Sequence, residues 1–244
     1  MILTAHQPAY LPWLGFFHKI ILSDTYVILD EVQFEKSSFI NRNKIKTPEG
    51  YQWLTVPVSM SGYRTKSILE MEINNSENWN LKHWNGLYRN YKKTPFFHLY
   101  SDFFEAAYKR KWTNLTDFLI YTMEFFLKEL HVETKVIKQS HLHTKEKKQD
   151  LIIEICKKLN ADKFVFGALG RNYAQEQTFK SNGIQIYFQD YQHPVYKQQW
   201  GEFMPYMSIV DLLFNLGPEK ALEIIMKDNL DKKTLENLLN NKLL

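Results

Sequence analysis

The sequence predicts an α/β fold: a mainly parallel, Rossmann-like sheet with an inserted β-hairpin and a helical cap. Three observations carry that prediction. The run Tyr26-Val27-Ile28-Leu29 is continuously apolar, as a parallel strand covered on both faces should be. Short apolar runs alternate with helical periodicity in both halves of the chain, the rhythm of β-α-β units with right-handed crossovers. Between those halves, residues 31–130 turn first to hairpin and then to helix.

The first strand is expected at Ile2 to Ala5, followed by a helix from about Trp13 to Leu22 and a second strand at Thr25 to Asp30. The hairpin follows: Phe39 to Lys46 and Tyr51 to Val58 flank Thr47-Pro48-Glu49-Gly50, a turn composition. Ser76 can cap a helix over Glu77 to Tyr91, Pro95 can open a second, and Asn114 can cap Leu115 to Leu130. This last helix carries Leu115, Phe118, Leu119, Phe125, Phe126 and Leu130, a stripe wide enough to be buried against the sheet. Further strands are expected at Lys135 to Gln139, Phe164 to Phe166 and Ile184 to Phe188. Between them lie helices at about Asp150 to Leu159 and Tyr173 to Ser181, the latter ended by Gly183. A helix at Ser208 to Leu216, another after Pro218, and a peripheral one presenting Leu235, Leu238, Leu239 and Lys242 complete the chain.

The length of 244 residues and a composition 44% hydrophobic and 15% aromatic suffice for one sizeable core. No linker or composition shift divides the chain, so residues 1–244 are read as a single α/β domain, with 31–130 as its inserted subregion. The net charge of +4 is dispersed, and the densest basic stretch, Lys145 to Lys148, is broken by Glu146. That argues against nucleic acid as a partner. Cys156 is alone, which excludes an intrachain disulfide and a multi-cysteine metal site, and its helical neighbours Ile152, Ile155 and Leu159 make it core. With no signal-peptide pattern and no run of about 18 apolar residues, membrane insertion is not expected and a cytoplasmic location is.

Phosphate-loop, dinucleotide-fingerprint and nucleophile-elbow motifs are absent. The polar residues of interest lie elsewhere. His6 ends the first strand, where an open α/β sheet binds ligands, and its imidazole suits acid-base work or bonding to a phosphate or acyl oxygen. The plain alternative is a histidine that ties down the Pro8-to-Pro12 turn. Gln7, Tyr10 and Trp13 accompany it. Asp30 closes the second strand, where polar groups gather again. Asn41-Arg42-Asn43 offers a guanidinium fork and two amides, with strand alternation sending Asn41 and Asn43 to one face and Arg42 to the other. Arg42 reads either as a phosphate or carboxylate fork or as a salt-bridge partner of Asp30 or Glu31; Gln33 and Lys36 are nearby polar candidates. Gly167, with Gly170, follows a strand and could let backbone approach an anion, or could be a plain turn; Tyr173 lies just beyond. His141-x-His143 could bind a metal with Asp190 or His193, but no metal-binding helix accompanies the pair and no metal is expected. Near the end, Tyr196 precedes a helix with Ser208 as N-cap, Asp211 three residues on, and Asn215 on the next turn.

Taken together, His6-Gln7-Pro8 through Trp13-Leu14-Gly15, Lys19, Ser23-Asp24, Asp30, Val32-Gln33, Asn41-Arg42-Asn43 and Leu54-Thr55-Val56-Pro57 resemble the WbqC-like family. Pro194, Tyr196, Phe203, Pro205 and Ser208 to Asn215 extend the resemblance, which covers residues 2 to about 217. It implies an enzyme of bacterial surface-polysaccharide (O-antigen) biosynthesis, a transferase that modifies amino sugars by moving an acyl or aminoacyl group such as glycyl. The implied substrate is a phosphate-bearing small molecule, and no cofactor follows. His6 or Asp30 would be the base, Gln7 or Asn43 the oxyanion donors, and Arg42 and Lys36 the phosphate partners. A non-catalytic sugar-nucleotide or partner-binding protein is the alternative. A fainter resemblance, to nucleotidylyltransferases of the HIGH type, lacks the second histidine, since His18 falls inside the helix.

Overall fold

A computed structural model describes residues 1–241. Five parallel strands form the central sheet in the order β5-β2-β1-β6-β7. They are β1 (Ile2–His6), β2 (Thr25–Ile28), β5 (Lys135–Lys138), β6 (Lys163–Phe166) and β7 (Gln185–Phe188). The chain starts in the middle, builds outward through β2 to β5, then returns to the far side of β1 to lay down β6 and β7. The reversal falls between β1 and β6, and doubly wound sheets bind ligands in the crevice outside the carboxyl ends of the strands at such a point.

Both faces of the sheet are covered, as the apolar strands require. On one face Tyr26 and Ile28 share a core with Phe16, Phe17 and Ile20 of α1 (Leu14–Ile21). The antiparallel hairpin of β3 (Arg42–Thr47) and β4 (Gly50–Thr55) and the helices α2 (Trp79–Tyr91), α3 (Phe97–Lys109) and α4 (Leu115–Glu129) contribute to the same core. On the other face Leu3, Ala5 and Val27 pack with Ile152, Ile155 and Cys156 of α5 (Lys148–Lys158) and with Phe164 and Phe166. Residues 29–134 all intervene between the neighbouring strands β2 and β5. Among the described residues no helix is long and apolar enough to cross a membrane.

Several boundaries differ from the sequence reading for local reasons. The hairpin closes one residue tighter at each strand, pairing Thr47 with Gly50 across Pro48-Glu49, because Gly50 takes φ +125. Ser76 caps nothing; its amide bonds Asn74 Oδ1 and the helix begins at Trp79. The helix expected from Tyr173 is a 3-10 turn over Ala168–Asn172 followed by α6 (Glu176–Ser181). Gly183 does end α6: with φ +73 its amide bonds Lys180 O while the Ile184 amide bonds Phe179 O. The two helices expected around Pro218 are both present: α7 (Ile209–Met226) consists of two helical segments that meet at Gly217, whose φ +78 and ψ 174 are non-helical. Pro218 has no N–H to give the Phe214 carbonyl, and that carbonyl instead accepts from the Phe96 amide at 3.1 Å. In α8 (Lys232–Asn241) Leu235 and Leu239 are buried but Leu238 is exposed; Lys242 lies outside the described residues.

Candidate active site at the sheet edge

The segment from β1 to α1 is held by distant parts of the chain. Asn43 Nδ2 donates to Leu11 O at 2.6 Å, the Tyr10 amide to Phe39 O, and the Ile209 amide to Pro12 O. Trp13 then folds its ring over the backbone of Gly15, where a β-carbon would stand 2.2 Å from the indole, so glycine is required there. Outward, Trp13 stacks on His193 and meets Tyr191 and Tyr206 edge-on, an aromatic wall that sequence reading did not assemble.

His6 stands at the rim. Its Nδ1 lies 2.8 Å from the carbonyl of Gln7, and a carbonyl only accepts, so Nδ1 carries the proton. Enclosure by the surrounding protein and the ammonium of Lys19 hold the imidazole neutral, down to about 3. The ring keeps substantial contact with solvent, so water offsets part of that enclosure and the direction is the firm conclusion. A neutral ring protonated on Nδ1 leaves an unshared pair on Nε2. Gln7, half-buried beside it, makes no side-chain hydrogen bond to the described residues.

Lys19, on the inner face of α1, is the residue that sequence reading passed over as part of a pattern. It is 3% exposed. Its Nζ donates to Ala5 O at 3.2 Å and lies 4.0 Å from where a β-carbon on Gly167 would stand. Burial lowers the ammonium to about 7. A signal was available: at helical spacing Lys19 neighbours Gly15, Phe16 and Leu22, an apolar surround for a charge. His18, by contrast, is fully committed, Nε2 donating to Leu230 O at 2.9 Å and Nδ1 accepting from Gln189 at 2.7 Å.

The other predicted residues scatter. Asp30 is fully buried, its two oxygens receiving the Ser140 amide at 3.0 Å and the Ser140 hydroxyl at 2.7 Å, and no hydrogen bond joins it to His6. Tyr10 is in the core, its hydroxyl between His83 Nδ1 and the Tyr108 hydroxyl. Asn41 is turned inward onto Val56 O, as Asn43 is onto Leu11 O. Gln33 bonds Arg64 O, and Lys36 is exposed. Arg42 makes no ion pair with Asp30 or Glu31; it lies over Trp53 at 4.5 Å and donates to Ser37 O. Tyr173 is exposed against Phe166. His193 spends both nitrogens, on Pro194 O and the Tyr206 amide.

The C-terminal candidates build a separate, sealed node. Ser208 caps α7 through the Val210 amide. Asp211 does not complete a capping box; its oxygens accept from Tyr91 and Tyr196 hydroxyls at 2.8 Å each. Burial raises its carboxyl, and the two tyrosines, Gln198 and Lys46 counteract that rise. Asn215 donates to Asp211 O and also lines a cavity of about 650 Å³ with Phe96, Gln198 and Pro218. Of the predicted set, the structure therefore brings His6, Gln7, Trp13 and Gly167 to the sheet edge, adds Lys19, and puts the rest elsewhere.

The WbqC-like protein family matches residues 7–223. An uncharacterized protein of Mycobacterium tuberculosis (strain ATCC 25618 / H37Rv), Rv1507c, is 33% identical over 215 residues, which is 87% of this chain and 93% of that protein. No solved structure matches the chain.

Proposed function

The chain belongs to the WbqC-like protein family, and from that premise we propose a transferase that moves an acyl or aminoacyl group, such as glycyl, onto the amine of a nucleotide-linked amino sugar. Its setting would be O-antigen or related surface-polysaccharide biosynthesis in the bacterial cytoplasm. The observation that supports this reading best is His6: a neutral imidazole with Nδ1 fixed by the Gln7 carbonyl and Nε2 unshared, at the carboxyl end of β1. Amide formation needs such a base. The sugar amine attacks the carbonyl carbon of an activated donor such as a thioester, and Nε2 takes the amine proton as the C–N bond forms. The tetrahedral oxyanion needs a donor, and the Gln7 side chain, half-buried and making no hydrogen bond to the described residues, would give one. Collapse breaks the C–S bond, and the thiolate leaves with the proton returned from His6. Trp13 and its aromatic neighbours offer a wall for a sugar or base ring.

The test is a matrix of nucleotide amino sugars against acyl and aminoacyl thioesters, with the amide product identified by mass. The wild type should form product with at least one pair, and His6→Ala should slow it by about 10²- to 10⁴-fold. Wild-type rates in His6→Ala would remove the base assignment. A second reading, a sugar-nucleotide-binding protein without turnover, rests on the absence of any carboxylate partner for His6 among the described residues. Binding without product across the whole matrix would favour it.

A further inference from the structure

A buried ammonium without an anion is costly, and Lys19 is one. At 3% exposure it makes one hydrogen bond, to Ala5 O, and no carboxylate lies within ion-pair distance among the described residues. Lys46, equally buried, shows what a structural lysine looks like here: its Nζ serves both Gln198 Oε1 and Glu202 O. Two of the three Lys19 donors have no such use. Their location adds the argument. Nζ sits against the carboxyl end of β1, 3.2 Å from Ala5 O and close enough to His6 to depress its imidazole, and beside Gly167, which follows β6 without a side chain. It thus stands between the two strands that bound the crevice of the sheet.

We propose that Lys19 is the anion receptor of this crevice, its ammonium taking a phosphoryl or carboxylate group of the ligand over the bare backbone of Gly167. This rests on the sheet-edge reading of the site, though not on acyl transfer. It also moves the anion-binding role from Arg42, which lies over Trp53 at the start of β3, and Lys36, exposed in the loop before the hairpin, to a residue inside the site. The ligand supplies the charge that the fold omits, so the cost of burying the ammonium and the binding energy of the anion come from the same group.

Two variants separate this from a scaffold role in holding the Ala5 carbonyl. Lys19→Met keeps the length without the charge, and Lys19→Gln keeps a donor for Ala5 without the charge. Each is compared with the wild type by thermal unfolding without added anion, and by titration with inorganic pyrophosphate and with malonate. The wild type should be stabilised by at least one of the two, pyrophosphate if the group is phosphoryl and malonate if it is carboxylate. Both variants should bind that anion at least tenfold more weakly, and Lys19→Met should unfold no earlier than the wild type. A wild type indifferent to both anions, undiminished binding in the variants, or a Lys19→Met protein that unfolds earlier or fails to fold overturns the proposal. If anion binding depends on Lys19 while no donor and acceptor pair gives amide product, the receptor stands and the transferase reading falls.

Discussion

The sheet edge around His6 and the node around Asp211 are made of similar side chains, yet they differ in how their valences are used. In the node, Asp211 accepts from Tyr91 and Tyr196, Lys46 donates to Gln198 and Glu202 O, and Gln198 also engages Met204 through its amide and its carbonyl. These bonds tie together β3, α2, the segment before α7, and α7 itself. At the sheet edge His6 uses one ring nitrogen, Lys19 one donor, and Gln7 none. Buried polar groups normally find partners within the protein. His6 and Gln7 reach solvent, where water can meet their open valences, so the buried Lys19 ammonium is the group that sets the sheet edge apart from the node.

The largest expected effect lies in the node. Asp211→Ala leaves two buried hydroxyls without their acceptor and Lys46 without a neighbouring counter-charge, and should cost about 3–5 kcal/mol in urea unfolding. Asp211→Asn, which keeps an acceptor, should cost less. A loss under about 1 kcal/mol for Asp211→Ala would break the contrast, since a replaceable carboxylate is no keystone.

A middle-sized effect concerns histidines. His83 is sealed, Nε2 donating to Thr55 O at 3.1 Å and Nδ1 accepting from Tyr10 at 2.8 Å, and burial lowers it to about 3. Its folded value is below its ordinary one, so the unfolded chain binds the extra proton and stability falls as pH drops from about 6.5 toward 3. The loss from this group should reach about 2 kcal/mol by pH 5. Urea unfolding between pH 7 and 5 should show a shallower slope in His83→Gln than in the wild type; parallel slopes would clear His83 of the effect.

The smallest effect should come from His6. Because its ring reaches water and fills only one nitrogen, His6→Ala should change stability by about 0.5 kcal/mol or less while slowing the proposed transfer by about 10²- to 10⁴-fold. A large destabilisation would return His6 to the role of a turn-holding residue and erase the difference between the two regions.

The fold was legible where the signal was local. The apolar run of β2, the caps at Asn114 and Ser208, and the Gly183 helix end all depend on residues within a few positions of one another, and each is present in the structure. Position-by-position alternation also correctly put Asn41 and Asn43 on a different side from Arg42. What alternation could not say is which side mattered: the amides face Leu11 and Val56, and the guanidinium faces Trp53. Tyr10 read as a site residue because it neighbours His6 in sequence, but it points at His83 and Tyr108, 73 and 98 residues away.

By itself, then, the sequence determined the alternation of strands and helices, the hairpin, and the placement of His6 at a strand end, because periodicity, capping and turn preference act over a few residues. Only the tertiary structure decided which polar groups are spent. Thr4 of β1 bonds Val165 of β6, 161 residues on, and Lys19 stands between Ala5 of β1 and Gly167 just past β6. Asp211 meets Tyr91 across 120 residues. Whether a lysine or a carboxylate is satisfied depends on what the fold brings within about 3 Å of it, and no local pattern records that distance.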